Sequence, residues 1–506
     1  MTTTAASPTP ESTPATTAGP NPAEAVIPAA SPRTSDPTAE PTTRVRATNG
    51  STPTTTTPST PTITLPEPPR TAAVATAPTT VAPGPAVVGT ATTGATPATP
   101  TTNTPTSTTT TRTTGTPTST ATATDAGPAV AVTGPEHTTA DWVDRARIVG
   151  ESLRPEVAER DRTGELSRTA FDLLRDHGLS AAGVPTEFGG GGATHTDVGT
   201  ILRELGRHDP STAVAFAMHC HLVATQVWRH KHGADASGVL GKVAAGAILV
   251  STGASDWVAS NGHAERVEGG YRVSARKAPA SGCEAGTILV TSVRWDGAPE
   301  GPRVLHCAVP FSAPGVRIEQ TWDTLGLRAT GSHTVVLEDV FVPDVAVSLI
   351  RPADVWPPLL NTVIGAAMPL VTAAYLGIAD GAVDTALAMT AGRTDPHVVQ
   401  TVGELANVHT TAADLIAAMF TDSDDLGFDN TDAHAARTLS RKTVAADHLL
   451  TTVRLAMETV GGLGYSRGCD IERRYRDVHG ILFHPLPRAK QLRFTGNVQL
   501  GHSPLG

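Results

Sequence analysis

The chain has 506 residues, a formal net charge of −10 and 39% hydrophobic residues. Charges of both signs are interspersed and no basic stripe is present, which argues against a nucleic-acid partner. The four cysteines (Cys220, Cys283, Cys307 and Cys469) lie far apart without a CxxC pair, so we expect no disulfide framework and no metal site, and reduced cysteines fit a cytoplasmic protein.

Residues 1–138 form a segment rich in Thr, Pro and Ala that we predict to be a disordered tail. No Phe, Trp, Tyr, Cys or Lys occurs before His137, and so few apolar side chains cannot offset the entropy lost on ordering. The tail is a spacer or glycosylated stalk, a dispensable extension, or a product of start-site choice. Neither the basic nor the apolar region of a signal peptide is found at Met1.

Residues 139–247 are predicted to form an N-terminal helical domain. A first helix is predicted near the start of this domain. Three more are predicted over 166–177, from a cap at Thr196 or Asp197 through 205, and from Ser211 through 228. Four apolar residues near the start of the domain recur at roughly helical spacing, namely Trp142, Ile148, Leu153 and Val157.

Residues 248–350 change to strand patterns and are predicted to form a middle antiparallel β-barrel domain. The segment Tyr271–Lys277 alternates with a period of two. Further strands are predicted over 287–291, 304–309 and 334–342, separated by Gly, Pro, Asp and Asn.

Residues 351–506 are helical again and are predicted to form a C-terminal helical bundle, which makes the whole chain an α+β protein. Helices are predicted over 353–390, 398–420, 435–460 and 471–479. The uncharged run Pro357–Ala379 is long enough to span a bilayer. Since it is rich in Ala, Gly and Thr and interrupted by Pro369, we predict a buried core helix and no membrane insertion.

The stretch that follows the last long helix carries the most specific motif. It reads Gly461-Gly-Leu-Gly-Tyr-Ser-Arg-Gly-Cys-Asp-Ile-Glu-Arg-Arg-Tyr-Arg-Asp477, followed by Val478-His-Gly-Ile-Leu-Phe-His-Pro-Leu-Pro487. This stretch resembles the signature of the acyl-CoA dehydrogenase superfamily of flavoproteins, and the resemblance extends over about residues 139–501. It implies a fold of N-terminal helices, middle sheet domain and C-terminal helical bundle, and a homotetramer.

The resemblance also implies a flavin cofactor and residues that bind it. Val250–Asp256 is similar to the family's first flavin motif, which would place Ser251 or Thr252 at the flavin ring and Ser255 at the pyrophosphate. The turn of Gly461, Gly462 and Gly464 would approach the ADP part of a flavin from a neighbouring subunit. FAD is therefore favoured and FMN is the alternative.

Two further segments match the family less completely. Lys277–Gly282 resembles the second flavin motif and implies that the Ser281 hydroxyl lies near flavin N5, while Pro279 stands where the family has a ring-covering Trp. An arginine motif that grips the pyrophosphate has no clean match, and Arg393 is the nearest candidate.

A third segment, residues 322–343, resembles the strand that closes the family's acyl pocket. By this match Arg328 and Ser332 would line the substrate pocket.

The catalytic glutamate of the family's dehydrogenases is missing at both of its known locations. Pro485 stands at the late location, and the earlier one falls near Ala367 in an uncharged helix. The flavin monooxygenases of the same superfamily lack this glutamate and often carry a histidine in the late segment and another in the N-terminal helices. His484 matches the first, and His219 or His221 the second.

Three functions therefore remain open. The family default is an FAD-dependent dehydrogenase that oxidises the CH–CH bond of an acyl-CoA-like thioester, with His484 as the replacement base and an electron acceptor as partner. The alternative is a monooxygenase that uses reduced flavin, supplied by a flavin reductase, and oxygen. The third is a flavin-binding scaffold without catalytic activity.

Overall fold

The computed structural model describes residues 137–506, except for the side chain of Ser255. The predicted disordered tail, apart from its last two residues, lies outside the described residues. Within them, helices are followed by strands and then by helices again, which confirms the predicted α+β class.

Six helices precede the strands, and side-chain caps set where several of them begin. The Thr194 side chain accepts from the backbone N–H of Asp197, and the Asp197 carboxylate accepts from that of Thr194. The cap is therefore Thr194 and not the predicted Thr196 or Asp197, and the helix begins at His195. The next helix begins at Pro210, one residue before the predicted Ser211, because Asp209 caps it. The helices are α1 (Thr139–Leu153), α2 (Val157–Thr163), α3 (Arg168–Asp176), α4 (His195–His208), α5 (Pro210–Lys231) and α6 (Ser237–Ala244).

The strands form two four-stranded sheets that share one apolar core, and not the single antiparallel barrel predicted. The sheet orders are β1-β4-β5-β8 and β2-β3-β7-β6. All pairs are antiparallel except β1 with β4, which run parallel with Leu249 opposite Ile288. Each sheet keeps free edges because its outer strands pair on one side only. The strands are β1 (Leu249–Ser251), β2 (His263–Val267), β3 (Gly270–Lys277), β4 (Ile288–Trp295), β5 (Arg303–Pro310), β6 (Val316–Glu319), β7 (Thr334–Pro343) and β8 (Val347–Pro352).

The C-terminal helices pack around one long apolar helix, α7. This helix is long and apolar enough to cross a membrane by composition alone, but 94% of its most apolar window is buried inside the fold, as predicted for a core helix. It packs against α4, α5, α8, α9 and α10. The C-terminal helices are α7 (Pro358–Met389), α8 (Pro396–Ser423), α9 (Asp432–Val460), α10 (Asp470–Val478) and α11 (Arg488–Gln499).

Glycines allow α4 and α7 to approach each other closely. A Cβ atom at Gly377 would overlap the carbonyl oxygen of Arg203, and one at Gly206 would overlap that of Ala374. The two helices therefore pack backbone against backbone, which joins the N-terminal helices rigidly to the C-terminal bundle.

Candidate active site

A cavity of about 630 Å³ lies where the N-terminal helices, the sheet domain and the C-terminal bundle meet. This volume is within the usual range of small-molecule sites. Its walls come from six places: α5, the end of β1 with the turn after it, the segments 279–281 and 322–332, α7, and the C-terminal segment 476–490.

Hydroxyl groups form one wall, at the end of β1 and in the two segments beside it. Ser251, Thr252 and Ser281 all line the cavity, as the resemblance implies. Ser332 Oγ donates to Ser281 Oγ at 2.8 Å and lies 2.7 Å from Thr330 Oγ1. Because the Ser281 oxygen accepts this bond, its own proton remains available for a group in the cavity.

A buried ion pair holds together the two segments that resemble flavin motifs. Lys277 Nζ lies 2.9 Å from Asp256 Oδ2, and both side chains are buried. Burial lowers the pKa of Lys277, while the Asp256 carboxylate opposes this shift. At the same junction, a Cβ on Gly253 would come within 3.0 Å of Pro279 Cδ, so these loops fit closely.

His221 reaches the hydroxyl wall from α5. Its Nε2 lies 3.1 Å from Ser251 Oγ, and its Nδ1 has no hydrogen-bond partner among the described residues. Burial lowers the pKa of His221 to about 4, and the neighbouring His219 adds to the shift. His221 is therefore uncharged at neutral pH.

His219 does not reach the cavity, which corrects its prediction as a catalytic candidate. Its Nε2 lies 2.8 Å from the Ser180 carbonyl oxygen, and its Nδ1 accepts from the Leu249 backbone N–H at 3.0 Å. Both ring nitrogens are thus committed to the backbone, and His219 ties α5 to the loop after α3 and to β1.

His484 lies across the cavity from α5, on the C-terminal segment. Its half-buried ring packs edge-on against Tyr375, with centroids 5.4 Å apart. Burial lowers the pKa of His484 to about 3, and the positive charge of Lys442 lowers it further. Lys442 Nζ donates to the carbonyl oxygens of Ile481 at 2.9 Å and His484 at 3.0 Å, which fixes this segment.

Both positions where the family carries its catalytic glutamate line the cavity. They hold Ala367 and Pro485. Within residues 137–506 no Asp or Glu side chain lines this cavity, so imidazole nitrogens are the side-chain groups in it that can accept a proton.

Of the arginines and the serine predicted at the site, Ser332 lines the cavity, whereas Arg328 and Arg393 do not. Arg328 points away, because its guanidinium donates to the Asp161 carbonyl oxygen at 2.8 Å and to Asp323 at 2.7 Å; its assignment to the substrate pocket is wrong. Arg393 lies in the exposed loop between α7 and α8, paired with Asp395.

Three further cofactor assignments stay predictions: the glycine turn, Arg393 and Ser255. Gly461 and Gly462 lie in an exposed turn after α9, while Gly464 is buried beneath it. The approach of this turn to a neighbouring flavin, and the role of Arg393, concern contacts outside a single chain. The side chain of Ser255 lies outside the described residues.

Sequence reasoning missed Lys442, Thr330 and Tyr375. Lys442 falls on the apolar stripe of α9, three residues after Leu439 and four before Ala446, and a cation in such a stripe is a signal worth following. Thr330 and Ser332 alternate before β7 and could have been paired as hydroxyls on one face. Tyr375 within an apolar helix gives no such signal.

The fold and this cavity define an acyl-CoA dehydrogenase-type architecture. Two family profiles match, the acyl-CoA dehydrogenase N-terminal domain over residues 141–247 and the C-terminal domain over residues 370–486. The chain is 30% identical over 384 residues to L-evernosamine nitrososynthase of a Micromonospora species, covering 71% of this chain and 90% of that protein. The chain belongs to the acyl-CoA dehydrogenase-like flavoprotein superfamily, as the sequence predicts.

Two further similar proteins are a putative acyl-CoA dehydrogenase and a protein whose structure contains FMN and a nucleotide sugar. A putative acyl-CoA dehydrogenase of Bacillus subtilis is 27% identical, with 68% of this chain and 92% of that protein covered. The structure of KijD3 in complex with FMN and dTDP-3-amino-2,3,6-trideoxy-4-keto-3-methyl-D-glucose matches with a TM-score of 0.66 at 27% identity, covering 73% of this chain and 95% of the other.

Proposed function

We propose that this protein is a flavin-dependent monooxygenase that transfers one oxygen atom from O₂ to a small organic substrate. The observation that carries the proposal is the cavity itself, which is lined by three histidines (His221, His479 and His484) and by hydroxyl groups, and holds no carboxylate among its described lining residues. A dehydrogenase of this fold needs a base to remove the α-proton of its substrate.

The hydroxyl wall is suited to hold the flavin ring. A flavin needs polar contacts at its edges and a closely packed slot, which Ser251, Thr252 and Ser281 and the Gly253–Pro279 junction provide. We propose FAD or FMN as the cofactor, and KijD3 supports FMN. When bound in its reduced form, the flavin supplies the activation of oxygen, which makes a flavin reductase the proposed partner.

His221 on α5 and His484 on the C-terminal segment lie on different sides of the cavity. His221 bonds to Ser251, so its Nε2 can exchange a proton with a hydroxyl that would lie beside a bound flavin ring. His484 is held by Lys442 with its ring in the cavity and uncharged. In the neutral form it offers one N–H donor and one lone pair, and can accept a proton from the substrate atom that is oxygenated.

A dehydrogenase acting on an acyl-CoA-like thioester is the second candidate. His484 lies next to the late glutamate position and could replace the missing base, and the putative Bacillus subtilis dehydrogenase supports this reading. The two functions differ in the direction of electron flow: a dehydrogenase substrate reduces the flavin, while a monooxygenase consumes flavin that is already reduced.

The test is anaerobic mixing of the oxidised, flavin-loaded protein with butyryl-, octanoyl- and palmitoyl-CoA, followed by oxygenation assays with reduced flavin and a panel of amines, thioethers and aromatic heterocycles. We expect no bleaching of flavin absorbance, and oxygen-dependent product formation that His484→Ala lowers by about 10²–10⁴-fold. His502→Ala, at an exposed position near the C-terminus, is the control.

The opposite results distinguish the alternatives. Rapid bleaching by an acyl-CoA that His484→Ala abolishes would establish the dehydrogenase. Flavin binding with neither reaction would favour the scaffold without catalytic activity.

A further inference from the structure

Tyr375 lines the cavity and carries a hydroxyl without a hydrogen-bond partner among the described residues. It lies on α7 two turns beyond Ala367, on the face that also carries Val371, and all three line the cavity. The side chain is fully buried, and its Oη has no hydrogen-bond partner among the described residues. The hydroxyls of Ser281, Thr330 and Ser332, in contrast, are bonded to one another.

A glycine makes the space for this phenol oxygen. A Cβ atom at Gly480 would come within 2.6 Å of Tyr375 Oη and within 2.6 Å of Leu327 Cδ1. The C-terminal segment thus passes Tyr375 as bare backbone, and any side chain at position 480 would displace the phenol. The backbone at Gly480 thus leaves room for the hydroxyl without supplying a hydrogen bond to it.

A buried hydroxyl without a partner destabilises the folded protein, and most buried polar side chains have one. A phenylalanine would fill the same space without that loss. The hydrogen-bond partner of the hydroxyl is therefore expected to be a group that is present only when a ligand occupies the cavity.

The chemistry of the missing partner follows from the surroundings. Burial raises the pKa of Tyr375 well above its usual value, so the phenol keeps its proton and acts as a donor. Of the two cations in the lining, Arg476 is already paired with Asp161 and Glu472, and Lys490 is exposed to solvent. The other walls are mainly apolar, formed by Val214, Met218, Trp322, Val363, Met368 and Val371.

We propose that Tyr375 Oη donates a hydrogen bond to the substrate, which is an uncharged and largely apolar molecule with an oxygen or nitrogen acceptor facing α7. This inference rests on the proposed function, because it takes the cavity as the place where the substrate is oxidised. Since the Tyr375 ring lies against His484, the same bond would hold the substrate beside the histidine. A plain alkyl chain end would leave the phenol unpaired and bind less well.

The test compares two ligands of nearly equal shape, 1-indanone with a carbonyl acceptor and indane without one. Binding to the full chain loaded with oxidised flavin is measured by calorimetry for the native protein and for Tyr375→Phe. We expect the native protein to prefer 1-indanone by about 3- to 10-fold, the effect of one hydrogen bond, and the variant to lose this preference while indane binding is unchanged. Tyr465→Phe, at an 81% exposed position, is the control.

A second measurement separates substrate binding from a structural role. Without ligand, Tyr375→Phe should have a Tm equal to or above that of the native protein, because an unpaired buried hydroxyl is removed. A lower Tm would show that a buried water or protein group already satisfies the phenol, and would overturn the proposal. Equal affinities for the two ligands in the native protein, or binding of neither, would also overturn it.

The binding test needs no turnover, so it can fail or succeed separately from the proposed reaction. Loss of the preference in Tyr375→Phe, in a protein that shows no oxygenation, would support the hydrogen bond and reject the monooxygenase.

Discussion

At the scale of single residues, neighbouring histidines on α5 have different environments. His219 is bonded through both ring nitrogens to backbone groups, whereas His221 reaches the cavity and Ser251. Residues two positions apart on an α-helix, such as His219 and His221, are separated by about 200° around its axis. Only one of the two can therefore face a given side. The sequence does not show which of the two histidines faces the wall of hydroxyl groups in the cavity.

Lys442 is a positioning residue for His484. Replacing it by Met keeps much of the side-chain volume but leaves two buried carbonyl oxygens unpaired, which should destabilise the protein by about 1–3 kcal/mol. Because the lysine's charge contributes to the lowered pKa of His484, that pKa should rise in Lys442→Met. Urea unfolding and an NMR titration of His484 check both effects.

The control for this change is Lys242→Met, at an exposed position of α6, which should alter neither quantity. An unchanged His484 titration in Lys442→Met would contradict the electrostatic role, even if stability falls. Lys442 escaped prediction because its two acceptors lie about 40 positions further along the chain, and nothing local marks them.

At the scale of elements, the close packing of α4 against α7 depends on Gly377. In Gly377→Ala the added methyl group would overlap the carbonyl oxygen of Arg203, and overpacking of this kind typically costs about 1–3 kcal/mol. We expect a lower midpoint in thermal or urea unfolding, with little change in helix content by circular dichroism.

Gly403→Ala on α8 is the matched control. Nothing lies within 4 Å of a Cβ at that exposed glycine, so the better helix propensity of alanine should stabilise the protein by up to about 1 kcal/mol. Equal effects of the two substitutions would contradict the packing argument.

Element prediction succeeded where a periodic pattern is long. All eight predicted helices and all four predicted strands are present, with ends that differ by a few residues. The strands β1, β2, β6 and β8, which are the four shortest, were missed, and without them the division into two sheets could not be seen. α7 begins at Pro358 and not at Ala353, since a residue before proline is disfavoured in a helix.

At the scale of the whole molecule, buried histidines should make the protein sensitive to acid. Burial lowers the pKa of His195, His219, His221 and His306 to about 4 and that of His484 to about 3. In the unfolded chain each takes up a proton near pH ~6.5. The unfolded state therefore binds more protons as the pH falls from ~6.5 towards 4, and stability is lost over that window.

Asp477 acts in the opposite direction. Burial raises the pKa of Asp477 to about 7, so the folded state holds this proton more readily than the unfolded state does. The contribution of Asp477 to the free energy of unfolding is therefore lost as the pH rises from ~4 to 7. Five histidines outweigh one carboxyl group, and we expect the Tm to fall steadily between pH 7 and pH 4.

His306→Gln tests this account without touching the cavity. The glutamine oxygen can still accept from Arg351 Nε, as His306 Nε2 does at 2.9 Å, and the proton uptake on unfolding near pH 5 should fall by about one. Calorimetry over this pH range measures it, with His502→Gln as the control. An unchanged pH slope would show that His306 does not titrate on unfolding.

The arrangement around α7 also bears on how the chain is made. α4 and α5, which cover much of this apolar helix, are translated more than a hundred residues before it. Domains near the N-terminus fold first during synthesis. This helix, which is long and apolar enough to cross a membrane, thus emerges from the ribosome when part of its final surroundings already exists, and the helices that follow it, α8 to α11, have still to be added.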